Sequence, residues 1–308
     1  MGTNSSANLS TTDQTIHLAT SEILFSRILV ATDFSKPAHQ ALKVAITLSQ
    51  NFGAKLYLVH ASVATPWGAE TGPLPVEVLD AELEADKEEM QQLVQNEPEL
   101  RVLSPRVVVA YSEPINLIQG VSTEEGIDLI VVGSHGASGL ERLVLGSVAE
   151  AVMRHTTCPV MIVGPNCTVE QHPFRSVLFA TDLKTTGLRA AQYASALAER
   201  FHGKLTILHV ADPNFEDHKK VERVKNHIQQ QLAELTPSDV AQYCETQMRL
   251  EYGKPAETIT SIARMECASM IVVGLRDRAL ADHATWSTLS YLIREARCPV
   301  LGVRDHLA

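Results

Sequence analysis

Residues 128–147 read Asp-Leu-Ile-Val-Val-Gly-Ser-His-Gly-Ala-Ser-Gly-Leu-Glu-Arg-Leu-Val-Leu-Gly-Ser. The run Asp128 to Val132 is short, apolar and rich in branched side chains, the signature of a buried strand. Val148 to His155 follows with the pattern of a helix. Between them lie Gly133 and Gly136, then nine residues, then Gly146-Ser147. Glycine lets the backbone turn sharply and brings amide N–H groups within reach of a ligand. A helix that starts at Gly146-Ser147 adds unpaired N–H donors and a partial positive charge. Gly133, Gly136, Gly146 and Ser147 are therefore candidate phosphate-binding residues. Ser134 and Val148 are candidates beside them, Val148 through its N–H.

The same strand-and-helix grammar runs through the chain before this stretch. Arg27 to Ala31 reads as a first strand. Ser35 is placed to cap a helix with Pro37 in its first turn, and that helix stops at Phe52-Gly53. Lys55 to His60 reads as a second strand and Pro105 to Ala110 as a third. Val76 to Asn96 reads as a helix whose acidic residues form a solvated face. Pro114 to Glu124 is a shorter helix, and Pro159 to Val163 a fifth strand. Strands that alternate with helices imply a parallel sheet wound on both faces.

After Gly164-Pro165 the pattern restarts. Ser176 to Asp182 repeats Ile28 to Asp33 in character, and Phe201 to His209 repeats Phe52 to His60. Met270 to Gly274 repeats Leu129 to Gly133, and Cys298 to Val303 repeats Cys158 to Val163. Four blocks in one order indicate a tandem duplication, with a period long enough for two domains. The expected division is a flexible tail over 1–24, a domain over 25–164, a linker over 165–173 and a second domain over 174–305.

Composition agrees and narrows the function. The chain has 308 residues, 45% hydrophobic and 20% charged, with a formal charge of −10. An acidic chain without a basic block is a poor nucleic-acid binder, because phosphate contacts need clustered Lys and Arg. It holds no apolar run of the ~18 residues that a membrane span needs. Its five cysteines are scattered without a C-x-x-C pair, which gives a zinc site no support and fits reduced thiols in a cytoplasm.

Taken together, Ile28 to Ser35, the Gly133-x-x-Gly136, nine-residue, Gly146-Ser147 spacing and the strand after Cys158-Pro159 resemble the universal stress protein family. The resemblance implies an α/β fold of two tandem, doubly wound, parallel five-stranded sheets, Rossmann-like, each in strand order 3-2-1-4-5. It implies ATP as ligand, with or without Mg2+, in a cytoplasmic stress-response protein. It places the ligand where strands one and four diverge, so Ala31, Thr32 and Asp33 join the candidate site, with Asp33 suited to ribose hydroxyls or to a phosphate-bound metal. It also sets Ala61, after His60, against the adenine. His60 itself reads as a structural histidine without a positioned partner.

The second half departs from the motif. Asp277 stands where Gly136 does, Ser287 replaces Gly146 and Thr288 replaces Ser147. A carboxylate beside a phosphate site is repulsive, with Arg276 and Arg278 able to offset part of it, so the expectation is a scaffold. Apolar last strands in both halves suggest that the halves pair edge to edge within one chain. A homodimer of whole chains and unknown protein partners stay open. No catalytic residue and no metal site is assigned. An ATP hydrolase or nucleotidyl transferase is the alternative, weakened by the lack of a Walker lysine or a paired nucleophile and base. A structural module that binds no nucleotide is the third reading.

Overall fold

The computed structural model describes residues 25–63, 75–135, 145–168, 174–183, 187–211, 226, 230, 244–275 and 283–304. The first half runs β1 Arg27–Ala31, α1 Lys36–Phe52, β2 Lys55–Ser62, α2 Val76–Asn96, α3 Pro98–Leu103, β3 Arg106–Tyr111, α4 Pro114–Glu125, β4 Leu129–Gly133, α5 Ser147–His155 and β5 Val160–Val163. The second half runs β6 Ser176–Thr181, α6 Leu188–Arg200, β7 Lys204–Ala211, β8 Glu245–Tyr252, α7 Pro255–Met265, β9 Met270–Leu275, α8 His283–Glu295 and β10 Val300–Arg304. Ser35 caps α1 as its position suggests, its hydroxyl accepting from the Ala38 N–H at 3.3 Å.

The strands join in one sheet in the order β3-β2-β1-β4-β5-β10-β9-β6-β7-β8. Each half alone is 3-2-1-4-5, and all pairings inside a half are parallel. The expected two sheets are thus fused into one of ten strands. The fusion is antiparallel, with Val160 opposite Gly302, Met161 opposite Leu301 and Ile162 opposite Val300. The apolar last strands do pair, which leaves neither as an exposed edge.

The central strands are apolar along their middles because both faces are covered there, with polar residues such as Arg27, Ser176 and Arg304 confined to strand ends. In β1, Ile28 and Val30 point to one face and Leu29 to the other, and all three are inaccessible to water. The first face is covered by α1, α3 and α6, with Met90 of α2 the one buried residue of its helix. The opposite face is covered by α4, α5, α7 and α8. Both apolar layers run unbroken across the join, so the two halves share their cores.

Candidate functional site

After β1 the chain turns to α1 on one face, and after β4 it turns to α5 on the other. The crevice between these exits is the topological switch point where ligands settle in open α/β sheets. Here it is a cleft of about 470 Å³. Ala31, Thr32, Asp33, Ala61, Gly133, Gly146, Ser147 and Val148 all line it. Ser134 is fully buried beneath, its N–H donating to the Val163 carbonyl at 2.9 Å. Gly136 lies outside the described residues, as do Trp67, Arg276, Asp277 and Arg278.

One wall is built by the end of β1. The Thr32 N–H donates to the Val59 carbonyl at 2.9 Å, and the Thr32 hydroxyl accepts from the Phe34 N–H at 3.0 Å. That turn lets Phe34 take φ 60, and its ring lies 4.5 Å from the His60 ring. Asp33 Oδ1 accepts from the Ser35 N–H at 3.1 Å. His60 donates from Nδ1 to the Thr32 carbonyl oxygen at 2.8 Å, and its Nε2 lies 3.3 Å from Asp86 Oδ2. The structural role expected for His60 holds, but it has two positioned partners where none was anticipated. Asp86 likewise leaves the solvated face assigned to α2 and enters the cleft wall. No local spacing links residues 60 and 86; the pairing exists because α2 crosses the end of β2.

The opposite wall is the start of α5. Gly146, its N-cap, holds its place through its N–H to the Ser134 carbonyl at 2.7 Å and makes no side-chain cap. Ser147, Val148 and Ala149 follow in the cleft lining, at the helix position where backbone N–H groups have no intrahelical acceptor. His135, which in the sequence looks like an ordinary polar loop residue, stands beside them. Its Nδ1 is 2.9 Å from the Ser134 hydroxyl, while its Nε2 is buried with no hydrogen-bond partner among the described residues. The glycines also answer to packing. A Cβ on Gly133 would sit 2.8 Å from the Pro37 carbonyl carbon, and one on Gly146 would sit 3.0 Å from the Ser134 carbonyl oxygen.

Chemically, helix N–H donors and an orphaned imidazole edge suit an anionic or hydroxyl-rich ligand. Asp33 and Asp86 on the facing wall suit hydroxyls, or a cation carried by the ligand, rather than bare phosphate. Among the described residues no group of three or more His, Cys, Asp or Glu is arranged to hold a metal ion.

The second half repeats the frame. His209 Nδ1 lies 2.9 Å from the Thr181 carbonyl, and the Thr181 hydroxyl accepts from the Leu183 N–H at 3.0 Å. Its cleft is smaller, about 330 Å³, with Asp182, Gly274 and Thr288 in the lining.

The model of the universal stress protein family matches this chain twice, over residues 24–164 and 173–304. The chain belongs to the universal stress protein family. Universal stress protein YxiE of Bacillus subtilis is 33% identical over 147 residues, which is 46% of this chain and 99% of that protein. A universal stress protein of Methanocaldococcus jannaschii is 30% identical over 142 residues, 46% of this chain and 84% of its own length. A crystal structure of a universal stress protein from Archaeoglobus fulgidus superposes with a TM-score of 0.68 at 22% identity, covering 92% of this chain and 98% of that one. That last likeness shows the shared fold. No helix among the described residues of this family member is long and apolar enough to cross a membrane.

Proposed function

We propose that this universal stress protein binds ATP in the leading cleft and acts as a nucleotide-dependent regulator or interaction module in the cytoplasm. The observation that carries this reading is the uncapped N-terminus of α5, opening into a cleft of about 470 Å³ at the switch point. The N–H groups of Ser147 and Val148, with the 133–147 loop, take the phosphates. Asp33 takes the ribose hydroxyls or a Mg2+ that accompanies the phosphates, and Ala61 lies against the base. The buried Nε2 of His135 gives the site one polar group that a ligand can satisfy. The second half serves as scaffold, its smaller cleft left without nucleotide.

Calorimetric titration of the full chain with ATP and Mg2+ tests this. One site per chain is expected, lost in Gly136→Asp, which copies the second half. Two equal sites would overturn the division of labour, and no binding would overturn the reading. Product analysis after incubation separates binding from turnover, and steady release of ADP or AMP would favour the enzyme reading instead.

A further inference from the structure

The helix that faces the leading cleft at one end is held at its other end by the second half. Arg304, the last residue of β10, is only 7% exposed. Its Nη2 donates to the carbonyl oxygens of Met153 at 2.5 Å and Arg154 at 2.7 Å. These carbonyls belong to the last turn of α5, where acceptors lack intrahelical partners and the helix dipole is negative. A guanidinium answers both demands. Arg189 of α6 donates to the Arg304 carbonyl at 2.9 Å and so fixes the backbone that carries it. The Arg154 guanidinium lies 4.2 Å from the ring centre of Trp286 on α8. Over nine residues α5 spans about 13 Å, with one end in the cleft and the other bonded to the opposite half.

The counterpart contact is different in kind. Matching Cys158–Val163 to Cys298–Val303 sets Gly164 opposite Arg304 and Ile293 of α8 opposite Met153. Gly164 lies with its backbone directly on α8, so close that a Cβ would be 2.0 Å from the Ile293 carbonyl oxygen. The Arg294 carbonyl, which corresponds to that of Arg154, receives the neutral amide of Asn166 at 2.8 Å, in an exposed position. The leading half thus receives a buried cation from its partner half and returns an exposed amide.

We propose that Arg304 is a positioning residue for the leading cleft: by holding the C-terminal carbonyls of α5, the second half sets how firmly the N-terminal amides of that helix grip phosphate. This rests on the reading of that cleft as a nucleotide site. It gives the scaffold half a defined influence on ligand affinity.

The test compares wild type, Arg304→Gln, Arg304→Lys and Asn166→Ala as full chains, each titrated with Mg2+–ATP and with adenosine. The amides of α5 act on phosphate alone. Arg304→Gln should therefore lose about tenfold in ATP affinity, in the usual range of coupling between sites, while adenosine affinity changes less than about twofold. Arg304→Lys should recover most of the loss, and Asn166→Ala should leave both affinities unchanged. Equal loss for both ligands, or no loss in folded Arg304→Gln, overturns the proposal. If wild type binds neither ligand, the nucleotide reading fails, and hydrogen exchange then decides the coupling by itself. The Glu150 amide, bonded to the Gly146 carbonyl at 2.9 Å, should exchange at least about fivefold faster in Arg304→Gln. An unchanged rate there also overturns it. Should Arg304→Gln fail to fold, Arg189→Gln, which loosens the backbone that carries Arg304, makes the same comparisons at smaller amplitude, and an unchanged ATP affinity and Glu150 exchange rate there overturn the proposal.

Discussion

His60 donates from Nδ1 to the Thr32 carbonyl oxygen at 2.8 Å, which ties the end of β2 to the turn that leaves β1. His209 and Thr181 make the same bond at 2.9 Å in the second half, whose motif is degenerate. A contact kept in both halves belongs to the frame rather than to ligand chemistry. Removing it leaves a buried carbonyl unpaired, which costs about 1–3 kcal/mol. His60→Ala should lower the unfolding free energy by about 2 kcal/mol in urea titrations. His60→Asn, whose amide can donate from a similar place, should recover part of it. An unchanged urea midpoint in His60→Ala would remove the tie from the account.

Much of this frame was legible in the sequence because its signals are local. Ser35, Gly53 and the apolar runs mark helix ends and strands within a few residues of themselves, and α2 spans Val76–Asn96 as its pattern implies. The duplication predicted two equal sheets, and their strand orders match. What the sequence left unread depends on distance along the chain. Asp86 meets His60, and Arg304 meets Met153 across 151 residues, through helices whose crossing no spacing records. The six-residue α3 went unread because Glu97-Pro98 signals a stop, whereas here Pro98 opens a new helix at its first position. The register of β5 on β10 is likewise a product of two packed faces, not of either strand alone.

The thiols divide by burial. Desolvation pushes Cys158, Cys167 and Cys298 up to about 12 each, while Cys267 is exposed. Cys167 and Cys298 are buried and Cys158 half-buried; at pH 8 about one in ten thousand of these three thiols is ionised, and thiolate is the reactive form. Iodoacetamide should therefore modify Cys267 in the native protein and leave those three untouched until unfolding, as read by peptide mass spectrometry. The same shift has a stability sign. The unfolded chain ionises these thiols near pH 8.5 and the folded chain only near 12, so stability falls as pH rises through that window. Rapid native labelling of Cys298 would contradict its burial.

Glu266, just after α7, gathers the Thr206 hydroxyl at 2.5 Å, Arg249 at 2.7 Å and Lys204 at 3.5 Å. Glu125 holds the matching place in the first half, accepting from the Tyr57 hydroxyl at 3.0 Å and pairing with Arg106. Burial pushes the Glu266 carboxyl up, but the Thr206 and Arg249 hydrogen bonds with the two nearby cations outweigh it, and the net shift is downward. A lowered folded pKa adds stability above the unfolded value near 4.3, and that stability is lost as pH falls through the folded one. Glu266→Gln should cost about 2 kcal/mol at pH 7, with the gap to wild type closing below about pH 4. A gap that persists undiminished at pH 3 would show that charge has no part in it.

Gly133 separates packing from ligand approach as the reason for glycine in the loop. A Cβ there would lie 2.8 Å from the Pro37 carbonyl carbon, 2.9 Å from its oxygen and 3.0 Å from the Ala38 nitrogen. All three atoms are backbone in the first turn of α1 and cannot rotate aside, so β4 or α1 must shift. Such overpacking costs about 1–3 kcal/mol. Gly133→Ala should thus lower Tm by about 4–8 °C for a loss near 2 kcal/mol, in protein freed of nucleotide as well as in its presence. Because the displaced α1 carries Ala38 of the cleft lining, ATP affinity should fall in the same variant. A variant with wild-type Tm and weakened ATP binding would instead assign this glycine to the ligand alone, and the fit of β4 against α1 would no longer explain it.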